Sequence, residues 1–398
     1  MLCEIEFFAV GEGSKAGDAI TVRYGDVNNY KIMIVDGGTA ETGEKLVAHL
    51  KKQFGPTVAL EHVVLTHSDV DHASGLREVL REIPVANVWM HIPWLLAKEA
   101  KQYFKKKDWT DEALYKNIKD QYDIVAELAE LAFQKSTVYY PFEGSQIGPF
   151  RVLSPDRTTY LRLMTQFDKT PDPDQELLEG LHMWLAKASS NPFLTLLEKA
   201  AAKVQKWVPE PWSQERLKDG GVTSASNETS VVMYADCGNN RRILLTGDAG
   251  VNALRWAGDY AKSINYPLQQ FSFVQIPHHG SRRNVGPTVL NYLLGPIQPQ
   301  GTVKFEAFVS APKEDDMHPR KIVLNAFMRR GGRDGARTPP GTGGLFIRIR
   351  PPGRLQPTLG SRLLRHRFRD EPNRAKRRET PPGRLVPEMG RNTLCSAS

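Results

Sequence analysis

Four side chains that bind metal ions well lie within six residues of the chain. His67, Asp69, Asp71 and His72 follow an aliphatic stretch, residues 63–65, and a helical pattern comes next. The aliphatic stretch predicts a buried strand, so the polar side chains stand at its carboxyl end, where α/β folds place their chemistry. A loop of imidazoles and carboxylates suits two divalent ions that activate water. The other interpretation is a turn that caps the helix, but capping needs one carboxylate and leaves both histidines unexplained.

The spacing His67-x-Asp69-x-Asp71-His72 resembles the metal-binding signature of the metallo-β-lactamase fold superfamily, which usually reads His-x-His-x-Asp-His. Asp69 stands where the second histidine is expected. This variant resembles the hydrolase domain of ComEC-type DNA-uptake competence proteins and their soluble relatives. The resemblance implies an α/β fold, the four-layer αββα sandwich, and a catalytic role for Asp71.

Two later segments resemble further motifs of the same superfamily, in the same order. The apolar strand that ends at Thr246-Gly247-Asp248 resembles the one whose aspartate bridges both ions. A helix cap is the alternative for this aspartate, but the order of the motifs favours a ligand. The sequence His278-His279-Gly280-Ser281 resembles the ComEC-type motif, which implies one metal ligand and one further ligand or proton donor. Both histidines remain candidate ligands, and His279 is also a candidate catalytic residue.

The segment before the metal loop resembles the superfamily as well. A strand over residues 31–35 ends at Asp36-Gly37-Gly38. In relatives this aspartate orients the metal loop by hydrogen bonding, and the resemblance implies the same role in catalysis for Asp36.

Four residues are candidates for binding the substrate. Asn227 and Ser230 stand where the wider superfamily often has a metal-binding histidine, and the resemblance to the ComEC-like branch implies that they position water or substrate. Ordinary turn and strand-start roles fit these two residues equally well. Arg282 and Arg283 follow the histidine doublet, and because guanidinium groups match phosphate geometry we expect them to hold an anionic group. The alternative for both is an exposed loop arginine.

Composition divides the chain of 398 residues near position 332. The resemblance covers a hydrolase domain, residues 1–332, with helical insertions at about 95–135 and 157–220. Residues 333–398 hold 9 of the 27 prolines and 15 lysines and arginines against 5 acidic residues, which predicts a disordered, low-complexity tail. The tail is either a basic arm that binds nucleic acid or the product of a reading-frame change near Gly332. We favour the second, because composition and resemblance change at the same point.

The remaining 332 residues hold 38 basic and 40 acidic residues, a net charge of −2, so a broad positive face is not expected on the domain. No run of eighteen apolar residues predicts a membrane span, and the first residues do not resemble a signal peptide. Three widely separated cysteines fit a reducing compartment. We therefore expect a cytoplasmic protein without a membrane partner, whose oligomeric state the sequence leaves open.

The candidate ligands predict a hydrolase in which two divalent ions share the attacking hydroxide. Asp69 in place of a histidine makes one site harder, which favours Mn²⁺, although Zn²⁺ stays compatible with the ligand set. The first hypothesis is a phosphodiesterase or nuclease whose substrate is a phosphodiester such as single-stranded DNA. The second is hydrolysis of a small ester, lactone or thioester. The third is a non-catalytic nucleic-acid-binding protein that acts through its basic tail.

Overall fold

Stretches rich in β-branched and aromatic residues form two seven-stranded sheets in the computed structural model of the protein. It describes residues 2–8, 10, 16–26, 28–168, 170–178, 211–311, 318–335 and 345–347. These residues belong to one unit of the chain, Met1–Gln356.

The first sheet is built mainly from the amino-terminal part of the chain. Its strands are β1 (Leu2–Phe7), β2 (Ala19–Asp26), β3 (Asn29–Gly37), β4 (Leu60–Val64), β5 (Val85–Trp89), β6 (Thr137–Tyr139) and a carboxyl-terminal strand, β14 (Leu345–Ile347). The order across the sheet is β14-β1-β2-β3-β4-β5-β6. The pairs from β14 to β3 are antiparallel, and those from β3 to β6 are parallel.

The second sheet repeats this arrangement. Its strands are β7 (Gln146–Ile147), β8 (Phe150–Ser154), β9 (Val232–Asp236), β10 (Arg242–Leu245), β11 (Phe273–Gln275), β12 (Phe305–Phe308) and β13 (Gly332–Gly335). They lie side by side in chain order. The pairs from β7 to β10 are antiparallel, and those from β10 to β13 are parallel. Each sheet thus contains four consecutive parallel strands, and such strands need crossover connections.

Helices supply most of these crossovers. They are α1 (Ala40–Phe54), α2 (Val70–Ala73), α3 (Leu76–Glu82), α4 (Pro93–Ala100), α5 (Asp111–Lys119), α6 (Asp123–Lys135), α7 (Arg157–Met164), α8 (Ala225–Glu228), α9 (Val251–Ser263), α10 (Pro287–Leu294) and α11 (Lys321–Arg329). Short 3₁₀ turns occupy Lys101–Tyr103 and His278–Gly280. Among the described helices, none has both the length and the apolar character needed to cross a membrane.

Helix α1 shows how the sequence sets one such crossover. The Thr39 side chain accepts a hydrogen bond from Thr42 N and so caps the amino end. Leu46 and Leu50, four residues apart, share one face of the helix and are fully buried. The chain leaves the helix at Gly55, where φ is +96°.

Three clusters of buried apolar residues separate the layers. One packs α1, α3, α4 and α6 against the first sheet, and another packs α9, α10 and α11 against the second. The third lies between the two sheets and joins residues such as Ile5 and Phe7 to Phe273 and Phe308. The four-layer αββα sandwich expected from the sequence is therefore confirmed.

Some expectations fall on residues that the structure does not describe. They are residues 179–210 of the insertion expected at about 157–220, and most of the tail. The expected insertion over 95–135 contains α5 and α6 and the end of α4.

Strand pairing continues past residue 332, the boundary expected from the sequence. Strand β13 continues to Gly335 and pairs with β12, and Leu345–Ile347 pairs with β1. The described parts of residues 333–347 thus extend both sheets. Sequence alternation did not indicate these strands, because one is rich in glycine and charge and the other has only three residues.

Glu228 gives the fold a pH dependence that can be measured. Its carboxylate accepts hydrogen bonds from Ala253 N (2.7 Å) and Asn252 N (3.4 Å) in the first turn of α9, where Gly250 provides no side-chain cap. Burial raises the pKa of Glu228 from 4.5 to about 7, although the hydrogen bonds from α9 oppose the change. Between these two pKa values the unfolded chain loses this proton and the folded chain keeps it. The contribution of Glu228 to stability therefore falls as the pH rises.

We expect Glu228→Gln to gain stability relative to the native chain as the pH rises from 5 to 8, by about 3 kcal/mol at most. Urea unfolding at several pH values measures the difference. Glu44→Gln, at an exposed position of α1, controls for the change in net charge. A difference between Glu228→Gln and the native chain that stays constant with pH would contradict the assignment.

Candidate metal centre

The candidate ligands follow the carboxyl ends of parallel strands in both sheets. Asp36 closes β3, the metal loop follows β4, Asp248 follows β10, and the histidine doublet follows β11. Strands β3 and β4 are neighbours in one sheet, and β10 and β11 are neighbours in the other. Because the carboxyl ends of neighbouring parallel strands lie together, each sheet contributes two loops to one site.

Close backbone packing fixes the metal loop against the Asp36-Gly37-Gly38 turn. Gly75 N donates to Gly38 O (2.9 Å), and a Cβ placed on Gly75 would lie 1.9 Å from Gly37 O. Only glycine fits at position 75. Asp36 itself has a φ of +56°, a left-handed conformation that non-glycine residues seldom adopt.

The Asp36 carboxylate is saturated by hydrogen bonds to the metal loop. Its Oδ1 accepts from Thr66 N (2.8 Å), and its Oδ2 accepts from Thr66 Oγ1 (2.6 Å). His72 Nδ1 donates to the same Oδ2 at 2.8 Å. A proton held on Nδ1 leaves Nε2 of His72 as the ring nitrogen with a lone pair.

Among the candidate ligands, four buried side-chain atoms have no hydrogen-bond partner in the described part of the chain. They are Nε2 of His67, His72 and His279, and Oδ1 of Asp248. His72 Nε2 lies 3.4 Å from Asp248 Oδ1, and His67 Nε2 lies 3.8 Å from Asp248 Oδ2. Buried polar atoms are normally satisfied, so four unsatisfied atoms facing one another fit bound cations.

The ligand atoms form two overlapping sets. His67, His72 and Asp248 make the first, and Asp71, His72 and His279 make the second; within each set the atoms lie within 4.8 Å of one another. Asp69 Oδ2 is 3.5 Å from His67 Nε2, and Asp248 Oδ2 is 4.0 Å from His279 Nε2. Nitrogen and oxygen donors in this proportion suit Mn²⁺ or Zn²⁺.

The two histidines of the doublet point in different directions. Both have a left-handed backbone, with φ of +47° at His278 and +53° at His279, and their ring planes are 85° apart. His279 Nδ1 donates to Ser310 O (2.8 Å), which leaves Nε2 facing the second set. His278 has a side chain that is 31% exposed, and Asn227 Nδ2 donates to its Nδ1 at 2.7 Å. His278 belongs to neither ligand set, although its Nδ1 is 3.7 Å from Asp248 Oδ2.

The charges of the centre shift the pKa of several of these groups. Burial opposes the charged form of His72, but the carboxylates of Asp248 and Asp36 outweigh it and raise the pKa well above its usual value. Burial also opposes ionisation of Asp248, but His72 and His279 hold its pKa well below the usual range. For Asp69 the imidazole of His67 likewise overcomes burial and lowers the pKa to about 2. The carboxyl groups of Asp248 and Asp69 are therefore negatively charged at neutral pH, which favours cation binding.

The four candidate substrate-binding residues occupy different surroundings. Asn227 is buried and contacts His278, whereas Ser230 is fully buried and its Oγ has no described hydrogen-bond partner. Arg282 and Arg283 are exposed and follow the doublet after Gly280 and Ser281. The structure thus gathers His67, Asp69, Asp71, His72, Asp248 and His279 around one point, with His278 and Asn227 beside it.

Two residues of the centre were missing from the sequence analysis. Ser226 Oγ donates to Asp69 Oδ1 (2.8 Å) and so orients that carboxylate. Asp18 is 2% exposed and accepts a hydrogen bond from Gln275 Nε2 (2.8 Å). Burial raises the pKa of Asp18 to about 6, while His72 and His279 act in the other direction. The only sequence signal for Asp18 is a charged residue directly before a buried strand.

The family model "Metallo-beta-lactamase superfamily" matches residues 27–159, which include Asp36 and the metal loop. None of the curated proteins compared with the chain matches it.

Solved structures similar to this chain at low sequence identity include the following three. Zn²⁺-bound PqqB from Methylobacterium extorquens is 12% identical, with a TM-score of 0.38 over 87% of this chain and 100% of that one. YhfI from Bacillus subtilis is 10% identical, with a TM-score of 0.35 over 87% and 100% of the two chains. A putative metallo-beta-lactamase from Thermotoga maritima is 11% identical, with a TM-score of 0.32 over 68% and 88%. The family match covers residues 27–159, about a third of the chain, and does not extend to Asp248 or the histidine doublet.

Proposed function

We propose that the protein is a metal-dependent hydrolase that cleaves phosphodiester bonds, with single-stranded DNA as one candidate substrate. The proposal depends on one observation. Four buried atoms, which belong to three histidines and Asp248, lie close together and have no hydrogen-bond partner in the described part of the chain. When bound there, divalent ions supply Lewis acidity, which favours hydroxide over water at neutral pH and stabilises negative charge on the substrate.

The residues around the ligands prepare them for this chemistry. Asp36 accepts a hydrogen bond from Nδ1 of His72, and the Ser310 carbonyl accepts one from Nδ1 of His279. Both rings therefore present Nε2 to the centre. Ser226 holds one oxygen of Asp69, which directs the other oxygen towards His67. These contacts reduce the reorganisation that cation binding would otherwise require.

The donor set supports Mn²⁺ as the working ion. Three carboxylates, Asp69, Asp71 and Asp248, stand beside the three imidazoles that face the centre. Oxygen donors favour harder cations, and Mn²⁺ prefers them more than Zn²⁺ does. The same ions assist phosphoryl transfer in two-metal sites.

The surroundings of the centre support a phosphodiester over a neutral ester. Arg282 and Arg283 are exposed, and neither forms an ion pair with a carboxylate in the described part of the chain. A phosphodiester carries a negative charge that such guanidinium groups can hold, whereas an ester or lactone carries none. His278 lies at the rim, and with Asn227 donating to Nδ1 its neutral ring carries the proton on Nε2. The Nε2–H can donate a hydrogen bond to the leaving oxygen and stabilise the negative charge that develops there.

A cleavage assay with the full chain tests the proposal. With Mn²⁺ present, we expect the protein to hydrolyse bis(p-nitrophenyl) phosphate and to cut single-stranded DNA, and Asp71→Ala to lose both activities. Hydrolysis of a lactone or thioester but not of either phosphodiester would establish the alternative substrate class. DNA binding that requires residues 333–398, with no hydrolysis of any substrate, would instead support a non-catalytic nucleic-acid-binding protein.

A further inference from the structure

Asp18 is a buried carboxylate with an unsatisfied oxygen. It directly precedes β2 and is 2% exposed. Its Oδ2 accepts from Gln275 Nε2 at 2.8 Å, but its Oδ1 has no hydrogen-bond partner in the described part of the chain. An incompletely bonded buried carboxylate is costly, so its position calls for a physical explanation.

The surroundings of Asp18 connect it to the second ligand set. Ligand atoms of Asp18, Asp36 and His72 lie within 4.8 Å of one another. Both oxygens of Asp36 are already used by Thr66 and His72, so these three residues do not make a third cation site. The favourable charge interactions of Asp18 are with His72 and His279, both members of the second set.

The backbone that carries Asp18 is held by the same centre. A Cβ on Gly17 would lie 2.2 Å from Asp71 O, so the chain passes directly against the metal loop. Gly17 O accepts from Ser310 Oγ (2.7 Å), and Ser310 O accepts from His279 Nδ1 (2.8 Å). The residue before Asp18 is therefore in contact with one ligand of the second set and linked through Ser310 to another.

Gln275 extends this connection to Asp248. Its Oε1 accepts from Thr246 N (2.9 Å) and Gly247 N (3.2 Å), the two residues before Asp248, while its Nε2 donates to Asp18. A single amide group thus joins Asp18 of the first sheet to the turn that presents Asp248 in the second.

We propose that Asp18 is a positioning carboxylate of the metal centre, which holds the Asp248 turn through Gln275 and places negative charge beside the cation bound by Asp71, His72 and His279. The inference rests on the proposed function in one respect, because it requires the centre to bind cations. Removing the charge of Asp18 should reduce the cation affinity of the second ligand set more than that of the first set, which contains His67. Changes to residues that support a ligand from behind commonly reduce metal affinity about 10–100-fold.

Mn²⁺ titration of the full chain, stripped of metal, tests the proposal. Asp18→Asn keeps the shape of the side chain and an acceptor for Gln275 but removes the charge. Asp26→Asn, at the exposed end of the same strand, is the matched control. We expect the native chain and Asp26→Asn to bind two Mn²⁺ ions, and Asp18→Asn to bind the first with native affinity and the second about 10–100-fold more weakly.

The outcomes separate this inference from the proposed function. A folded Asp18→Asn variant that binds both ions with native affinity would overturn the role of Asp18 and leave the hydrolase proposal intact. A native chain that binds no Mn²⁺ would overturn the metal centre itself. Circular dichroism checks folding, and if Asp18→Asn does not fold, Gln275→Met decides. This variant keeps the carboxylate but breaks its link to the Asp248 turn, so native affinity for both ions would again overturn the proposal.

Discussion

Replacing Asp248 with asparagine is expected to remove bound cations from the protein and to lower hydrolysis by about 10³-fold or more. Asp248 is 3% exposed, and its two oxygens face different ligands: Oδ1 lies 3.4 Å from His72 Nε2, and Oδ2 lies 3.8 Å from His67 Nε2. Asparagine keeps the size of the side chain but offers one neutral oxygen, so it cannot serve both ligand sets as an anion. Elemental analysis of the purified variant and its rate with Mn²⁺ measure the two effects.

The control for this change is Asp108→Asn, which removes one negative charge from an exposed side chain. It should keep both the metal content and the rate. An Asp248→Asn variant that retains two cations per chain would show that Asp248 does not bridge the ligand sets. Loss of activity with full metal content would place Asp248 in a different role, since a bridging ligand must affect binding and rate together.

The sequence was sufficient for those parts of the site that are local in the chain. The metal loop could be identified because a buried strand and four metal-binding side chains lie within ten residues. Asp248 and the doublet could be proposed as ligands because each comes shortly after an apolar strand and resembles, in the same order, a motif of one superfamily. In each of these cases the strand places the side chain, and strand ends are visible in the hydrophobic pattern.

Other features depend on contacts between distant segments and left little trace in the sequence. Asp18 and Gln275 are 257 residues apart and meet only because the two sheets pack face to face. The difference between His278 and His279 is set by two left-handed residues in succession, which periodicity does not indicate. Strand β14 forms through its pairing with β1 at the far end of the chain, and its three residues carry no alternation of their own.

His279 belongs to a ligand set and His278 does not, so we expect the same substitution to have different effects at the two positions. His278→Gln is expected to keep both cations and to lower kcat for a phosphodiester with an alkoxide leaving group by about 10²–10³-fold. The reason is that His278 lies outside both ligand sets, and its Nε2–H can donate a hydrogen bond to the leaving oxygen. His279→Gln, the same substitution one residue later, should instead lose the second cation, because His279 Nε2 faces Asp71 Oδ2 at 3.8 Å. Metal content and kcat, measured together for both variants, distinguish the two roles.

The choice of leaving group makes the role of His278 testable without reference to metal binding. A p-nitrophenolate leaving group spreads its negative charge over the ring and gains little from a hydrogen bond, whereas an alkoxide concentrates the charge on oxygen and gains much more. The loss of kcat in His278→Gln should therefore be much smaller with bis(p-nitrophenyl) phosphate than with DNA. Asn227→Ala, which frees Nδ1 and no longer fixes the proton on Nε2, should show the same dependence with a smaller loss. An equal loss with both substrates would mean that His278 holds the substrate in place and does not stabilise the leaving oxygen.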